Sequence, residues 1–377
     1  MLIKNARIVT RDEEFTGVVR IADGRIAEVA PGTTSVSEAE DWGGDYLLPG
    51  LVELHTDNIE KHIAPRPGVL WNHDSAILVH DAQVATAGIT TVFDALGIGS
   101  RGGVGVRGKE IQTNCARSIE RLAGLGLLRV DHFLHLRCEV AAADVIEVFD
   151  GLCSHSLLRL VSVMDHTPGQ RQWHDPAQWR RYQERHGKWT DEHASTVLNE
   201  LTDDQHRYAR VHRSEIVSRC RTLGVPLASH DDTSIEHVLE AVDDGIVLAE
   251  FPTTLPAAQA AKDHGIATIM GAPNVVRGGS HSGNVSALDM AKAGLLDILS
   301  SDYVPSSLLT ATFELVDKAG WTLPQAIRTI SSAPAKAAGL TDRGAIAPGL
   351  RADFVRVAMA DRLPVPRATF LEGRRVA

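Results

Sequence analysis

The chain has 377 residues, 44% of them hydrophobic and 23% charged, with a formal net charge of -10. That is ordinary globular composition with ample length for a large core. The acidic balance argues against a general binder of nucleic acid or anionic membrane, and it leaves room for a local basic pocket that takes an anionic substrate. The four cysteines (Cys115, Cys138, Cys153, Cys220) form no CxxC pair, so neither a zinc ribbon nor a disulfide framework is expected, and a reducing cytoplasm suits them. The opening MLIKNARIVTRDEE lacks the apolar run and cleavage pattern of a signal peptide, and no stretch approaches the length of a membrane span.

Taken in chain order, residues 1–47 read as short strands joined by turns: Leu2–Val9, Val18–Ile21, a turn at Asp23-Gly24, then Arg25–Val29. After Pro49 the pattern changes. Apolar strands alternate with longer amphipathic stretches up to about residue 342. The strands are Leu51–Asp57, Ile89–Ala95, His132–Glu139, Leu160–His166, Val225–Asp232, Val247–Pro252, Ala267–Ala272 and Asp297–Tyr303. Eight such alternations predict a (β/α)8 TIM barrel over 48–342, with a doubly wound open sheet as runner-up. Residues 343–377 return to the short-strand style. With 1–47 they predict a small β-sandwich domain built from both termini. The segment 170–221 is too long for a simple crossover and reads as a helical insertion, either an active-site lid or a structural subdomain.

In such a barrel the polar residues at the C-terminal strand ends face the active site. In the first strand Glu53, His55 and Asp57 share one face, and Val52, Leu54 and Thr56 share the other. The third carries Phe133, His135, Arg137 and Glu139 on one face. The fourth ends in Asp165-His166, the fifth in Ser229-His230-Asp231-Asp232 and the eighth in Ser301-Asp302, and the sixth carries Glu250. One histidine at a strand end is ordinary, but strand after strand ending this way is costly unless the charges are paired or metal-bound. A metal centre of histidine and carboxylate ligands is the expectation.

Anion-binding residues are expected as well. The run Gly271–Asn284 follows the seventh strand and reads as a glycine-rich loop with free backbone N–H groups, to which Arg277, Ser280 and His281 add donors. Lys61, Arg66 and Arg171 lie in loops after the first and fourth strands. Gly103–Lys109 matches a P-loop until Glu110, where Ser or Thr is needed to reach magnesium, so nucleotide binding there is not expected.

The start LLPGLVELHTD and the close GAIAPGLRADFV resemble the amidohydrolase superfamily. The longer strings HTDNIEKHIAPRPGVLW, AGITTVFDA, LHLRCE, VSVMDHTPGQRQ, ASHDD, AEFPTT, MGAPNVVRGGSHSGN and ILSSDY resemble its diphosphatase branch acting in bacterial phosphonate catabolism, from near residue 1 to residue 377. The resemblance implies hydrolysis of a small anionic phosphorylated sugar, a 5-triphosphate, to a 5-phosphate and pyrophosphate. It also implies a divalent metal, zinc, as one or two ions. His55, Asp57, His230 and Asp302 match the superfamily's metal-site pattern, Glu139 is the expected bridging or fourth ligand, and His166 is a further candidate. Two departures stand out: His55-Thr56-Asp57 replaces the usual HxH, and no lysine sits at a strand end to form a carbamate bridge. Asp302 is expected to take the proton of the attacking water, with His230 as the second catalytic group. Lys61, Arg66, Arg137, Arg171, Arg277 and His281 are the expected contacts to phosphate. The rival readings are a carbon–nitrogen hydrolase or deaminase, a P-loop NTPase, and a non-catalytic subunit of a phosphonate-degrading assembly. Association of copies through the small β domain or the insertion is left open.

Overall fold

The structure, a computed structural model, describes residues 1–99, 107–184, 188–280 and 283–377. The chain forms two compact units. One comprises Met1–Asp94, Ser118–Phe133 and Met270–Ala377; the other comprises Ala95–Arg117 and Leu134–Ile269.

Both termini build a mixed sheet. Its strands are β1 (Leu2–Val9), β2 (Glu14–Ala22), β3 (Arg25–Pro31), β4 (Glu40–Asp41), β5 (Tyr46–Pro49), and, from the other end of the chain, β14 (Phe354–Ala360), β15 (Leu363–Leu371) and β16 (Arg374–Arg375). Their order is β16-β15-β14-β5-β1-β2-β3, with β4 beside β1. β5 is the hinge of this arrangement: it runs parallel to β1 and antiparallel to β14. The inner face closes over Trp42, Phe354 and Phe370, whose rings pack 4.5–6.2 Å apart among buried Ile3, Ile8, Val19 and Ile26. β15 was not foreseen. Pro364, Pro366 and Arg367 break its apolar pattern, and it is recruited by antiparallel pairing with β14 rather than by its own periodicity.

The second sheet contains all eight expected strands in chain order: β6 (Leu51–Thr56), β7 (Ile89–Ile98), β8 (Asp131–Glu139), β9 (Leu158–Met164), β10 (Leu227–His230), β11 (Leu248–Glu250), β12 (Ala267–Gly271) and β13 (Ile298–Ser300). A bridge from Thr56 to Asp302 joins its two edges, so the sheet is a nearly closed parallel barrel. β7 shows why the sequence folds this way. It reads ITTVFDALGI, and every residue is buried. A run of apolar and β-branched residues, broken only by Asp94 and Gly97, suits a strand covered on both faces. At the junction of β5 and β6, a Cβ on Gly50 would lie 2.4 Å from Thr90 Oγ1, so only glycine lets the chain pass from one sheet to the next there.

The expected insertion is helical. Pro176–Gln183 is capped by Asp175, and Asp191–Asp204 is capped by Thr190 with Asp191 and Glu192 in its first turn. A π-helical turn at Gln205–Ala209 leads into Arg210–Leu223, which Gly224 ends in the left-handed conformation. Among the described residues no helix is long and apolar enough to cross a membrane.

Two expectations change. Gly271–Asn284 is not an open glycine loop: Ala272–Arg277 is a short helix started by Pro273. The amides of Gly278 and Gly279 donate back to Val275 and Asn274 carbonyls, so they close the helix end instead of facing an anion. His281 and most of Gly103–Lys109 lie outside the described residues.

Candidate metal centre

In the second unit, β8, β9 and β10 end in a cluster of titratable side chains. His166 Nδ1 lies 2.6 Å from Glu139 Oε2, and the His166 amide donates to Glu139 Oε1 at 3.1 Å. Its other ring nitrogen is 3.5 Å from Asp231 Oδ2, and His230 Nδ1 is 2.8 Å from the same oxygen. His166, His230 and Asp231 offer ligand atoms all within 4.8 Å of one another. Burial disfavours a charge on His166, but Glu139 and Asp231 outweigh it and raise the ring's pKa to about 9. Burial likewise opposes ionisation of Asp231, yet His230 and His166 hold its carboxyl well below the usual range. Without a cation the cluster therefore stores protons between its carboxylates. An imidazole and carboxylate donor set of this kind suits a divalent ion of borderline softness such as zinc, which would displace those protons.

The first unit brings three of the expected residues together. The Asp302 amide donates to the His55 carbonyl at 3.1 Å. The Asp302 carbonyl accepts from Thr56 Oγ1 at 2.7 Å and from the Asp57 amide at 3.2 Å. His55, Asp57 and Asp302 thus share one edge-to-edge junction of β6 with the chain leaving β13. Lys61 Nζ reaches the Tyr303 carbonyl at 3.0 Å across the same junction.

Beneath it lies Glu53, fully buried, accepting from the amides of His55 and Ser301. Burial pushes its pKa up to about 8, with Asp302 adding to the rise. The folded state therefore holds a proton on Glu53 that the unfolded chain releases above its ordinary value of 4.5. Between those limits the native state binds more protons, so stability falls as pH rises from about 4.5 to 8. Glu53→Gln is expected to flatten that fall. Thermal melts of both proteins from pH 5 to 9 check it, and parallel curves would refute it.

Three strands end in the same unusual way. Asp231, Phe251 and Asp302 follow β10, β11 and β13 with φ of 57, 54 and 53°. Left-handed backbone is tolerable for aspartate and costly for phenylalanine. Each residue nevertheless keeps a ladder hydrogen bond, to the carbonyls of Glu250, Ile269 and His55 respectively. The neighbouring strand thereby holds the turn, which swings the next side chain off the strand axis. This is why the strands stop at His230 and Ser300, short of the limits expected from their polar ends.

The remaining predicted residues are dispersed. Arg137 is buried on β8, while Arg66 and Arg277 are exposed. Arg171 differs most from expectation. Only 6% exposed, its guanidinium is engaged by Asp232 and by Glu240 at 3.0 Å, and it donates to the His230 carbonyl at 3.4 Å. Its charge is compensated within the fold, where it braces the end of β10. From the insertion, Gln205 in the π-helical turn donates to Asp165 Oδ2 at 3.1 Å, one residue from His166. Asp231 was visible in the Ser229–Asp232 string but not assigned, because nothing local distinguishes a ligand from its neighbour.

The sequence profile of the amidohydrolase family matches residues 46–376. The chain belongs to that family. Among curated proteins, this amidohydrolase is 42% identical over 378 residues to the alpha-D-ribose 1-methylphosphonate 5-triphosphate diphosphatase of Escherichia coli K12, with all of both chains covered. Among solved structures it is similar to N-acetyl-D-glucosamine-6-phosphate deacetylase from Mycobacterium smegmatis (TM-score 0.66, 16% identity, 100% of each chain). It is also similar to 5-methylcytosine deaminase from Klebsiella pneumoniae (TM-score 0.66, 13% identity, 100% and 98% of the two chains). At those identities the structural likeness concerns the fold.

Proposed function

We propose that this amidohydrolase hydrolyses alpha-D-ribose 1-methylphosphonate 5-triphosphate to the 5-phosphate and pyrophosphate. The full-length identity of 42% to an enzyme of that name carries the reading. The histidine and carboxylate groups at the strand ends support metal dependence. In this reading His55, Asp57 and Asp302 are ligand candidates within the first unit, and Glu139, His166 and His230 are ligand candidates within the second; the ion is zinc. Such an ion supplies positive charge to phosphoryl oxygens and acidifies water at neutral pH.

The chain's own residues do the rest. The Asp302 carboxylate takes a proton from the attacking water, whose oxygen bonds to phosphorus as the anhydride P–O bond breaks and pyrophosphate leaves. Asp231 holds His230 by Nδ1, which makes Nε2 the atom for ligation and for stabilising the developing charge. Lys61, Arg66, Arg137 and Arg277, with His281, neutralise the triphosphate. A cytoplasmic location belongs to the same reading, which the free thiols support.

The test is direct. Metal-loaded protein with the ribose methylphosphonate triphosphate is expected to yield one pyrophosphate per turnover, followed by phosphorus NMR. No pyrophosphate from that substrate, with cleavage of a cyclic ureide or an aminopyrimidine instead, would sink the assignment.

A further inference from the structure

A second cluster of buried histidine and aspartate lies in the first unit, and the reaction just described makes no use of it. His80 comes from the helix His73–Thr86, Asp94 from β7 and His132 from β8; their exposures are 0, 0 and 4%. His80 Nε2 is 2.8 Å from Asp94 Oδ1, and His132 Nδ1 is 2.7 Å from Asp94 Oδ2. His132 Nε2 continues to Asp81 at 3.4 Å, and Asp81 accepts from the Arg129 amide and, at 3.2 Å, from its guanidinium. At the other end, Asn58 Nδ2 is 2.8 Å from His80 Nδ1 and 3.0 Å from Gln83 Oε1. These are direct hydrogen-bond lengths along one line of donors and acceptors, so the residues form a continuous chain of bonds.

The direction of the chain follows from its centre. Asp94 is ionised: burial opposes the charge, but His132 and His80 outweigh it and hold the carboxyl well below the usual range. An ionised carboxylate only accepts, so His80 donates from Nε2 to Asp94, and its Nδ1, which faces the Asn58 amide nitrogen at 2.8 Å, takes the acceptor role. That fixes which face of the Asn58 amide turns inward. Asn58 occupies the N-cap of the helix Ile59–Ile63, yet its side chain makes no capping bond there. An N-cap asparagine ordinarily turns its oxygen to the helix amides. Here the side chain is 1% exposed and is drawn inward to His80 and Gln83 instead.

We propose that the His132–Asp94–His80 chain sets the tautomer that anchors Asn58, and through Asn58 positions the neighbouring ligand residue Asp57 in the turn after β6. His80, Asp94 and Asn58 are then positioning residues; none touches substrate. The proposal rests on the reading of Asp57 as a metal ligand.

Asp94→Asn changes one atom, within β7 and opposite Thr56 of β6. Its amide nitrogen would face His80 Nε2, move the ring proton to Nδ1 and set it against the Asn58 amide. The probe is Zn2+ alone, titrated into metal-free protein, with the His80 tautomer read from ring nitrogen shifts. The expected result is a folded variant with the proton on Nδ1, zinc affinity down about 10-fold or more and kcat reduced. A switched tautomer with wild-type zinc affinity and kcat would overturn the proposal. If Asp94→Asn does not fold, Asn58→Ala answers the same question. It leaves the Asp94 pairings intact and should weaken zinc about 10-fold, and unchanged affinity and kcat there would also overturn the idea. Absence of pyrophosphate release by the wild-type protein sinks the substrate reading alone, because tautomer and zinc affinity are measured without substrate.

Discussion

Asp302→Asn is expected to keep the metal and the fold while kcat falls about 10³-fold, within the range that a positioned general base contributes. The backbone supports the first half of that statement. Asp302 sits at φ 53°, a conformation asparagine also tolerates, and its amide and carbonyl bind His55, Thr56 and Asp57 through main-chain atoms that the substitution leaves untouched. What changes is one carboxylate oxygen. The amide that replaces it still offers an oxygen to a cation and can no longer accept a proton from water. Pyrophosphate release measured alongside elemental analysis separates the two effects. Near-normal turnover at full metal content would remove Asp302 from the chemistry, and parallel loss of metal and activity would make it a ligand only.

Arg171→Leu is expected to destabilise the protein by about 3–5 kcal/mol, the usual consequence of stranding one member of a buried ion pair. Asp232 is 1% exposed and also accepts from Ser229 Oγ, so it cannot relax into water when the guanidinium goes. Arg213 shares Glu240 with Arg171, at 3.3 Å, and is held at 2.7 Å by Asp244. Urea unfolding measures the loss. Adding Asp232→Leu should restore much of it, since the stranded charge is then gone. A single variant as stable as the wild type would show that Asp232 is satisfied by other means.

The eight barrel strands were legible because strands covered on both faces favour apolar and β-branched residues, as in β7, while β8 alternates Leu134, Leu136 and Cys138 with His135, Arg137 and Glu139. Their ends were less legible. The chain leaves β10 and β13 through left-handed aspartates, and no periodicity announces a single residue with positive φ. The glycines after β12 illustrate the converse limit: the same residues serve an anion-binding loop or a helix end, and only the preceding turn decides which.

Local pattern therefore determined the barrel, the terminal sheet and the row of histidines and carboxylates at the strand ends, because periodicity and strand alternation act over a few residues. Tertiary structure decided the partners. Whether Arg171 meets a phosphate or Asp232 depends on a contact 61 residues away, and whether His80 is a core histidine or the keeper of Asn58 depends on Asp94 and, through it, on His132. Hydrogen bonds and ion pairs are short-ranged in space and indifferent to distance along the chain, so the role of each polar side chain is settled only when the fold chooses its neighbour.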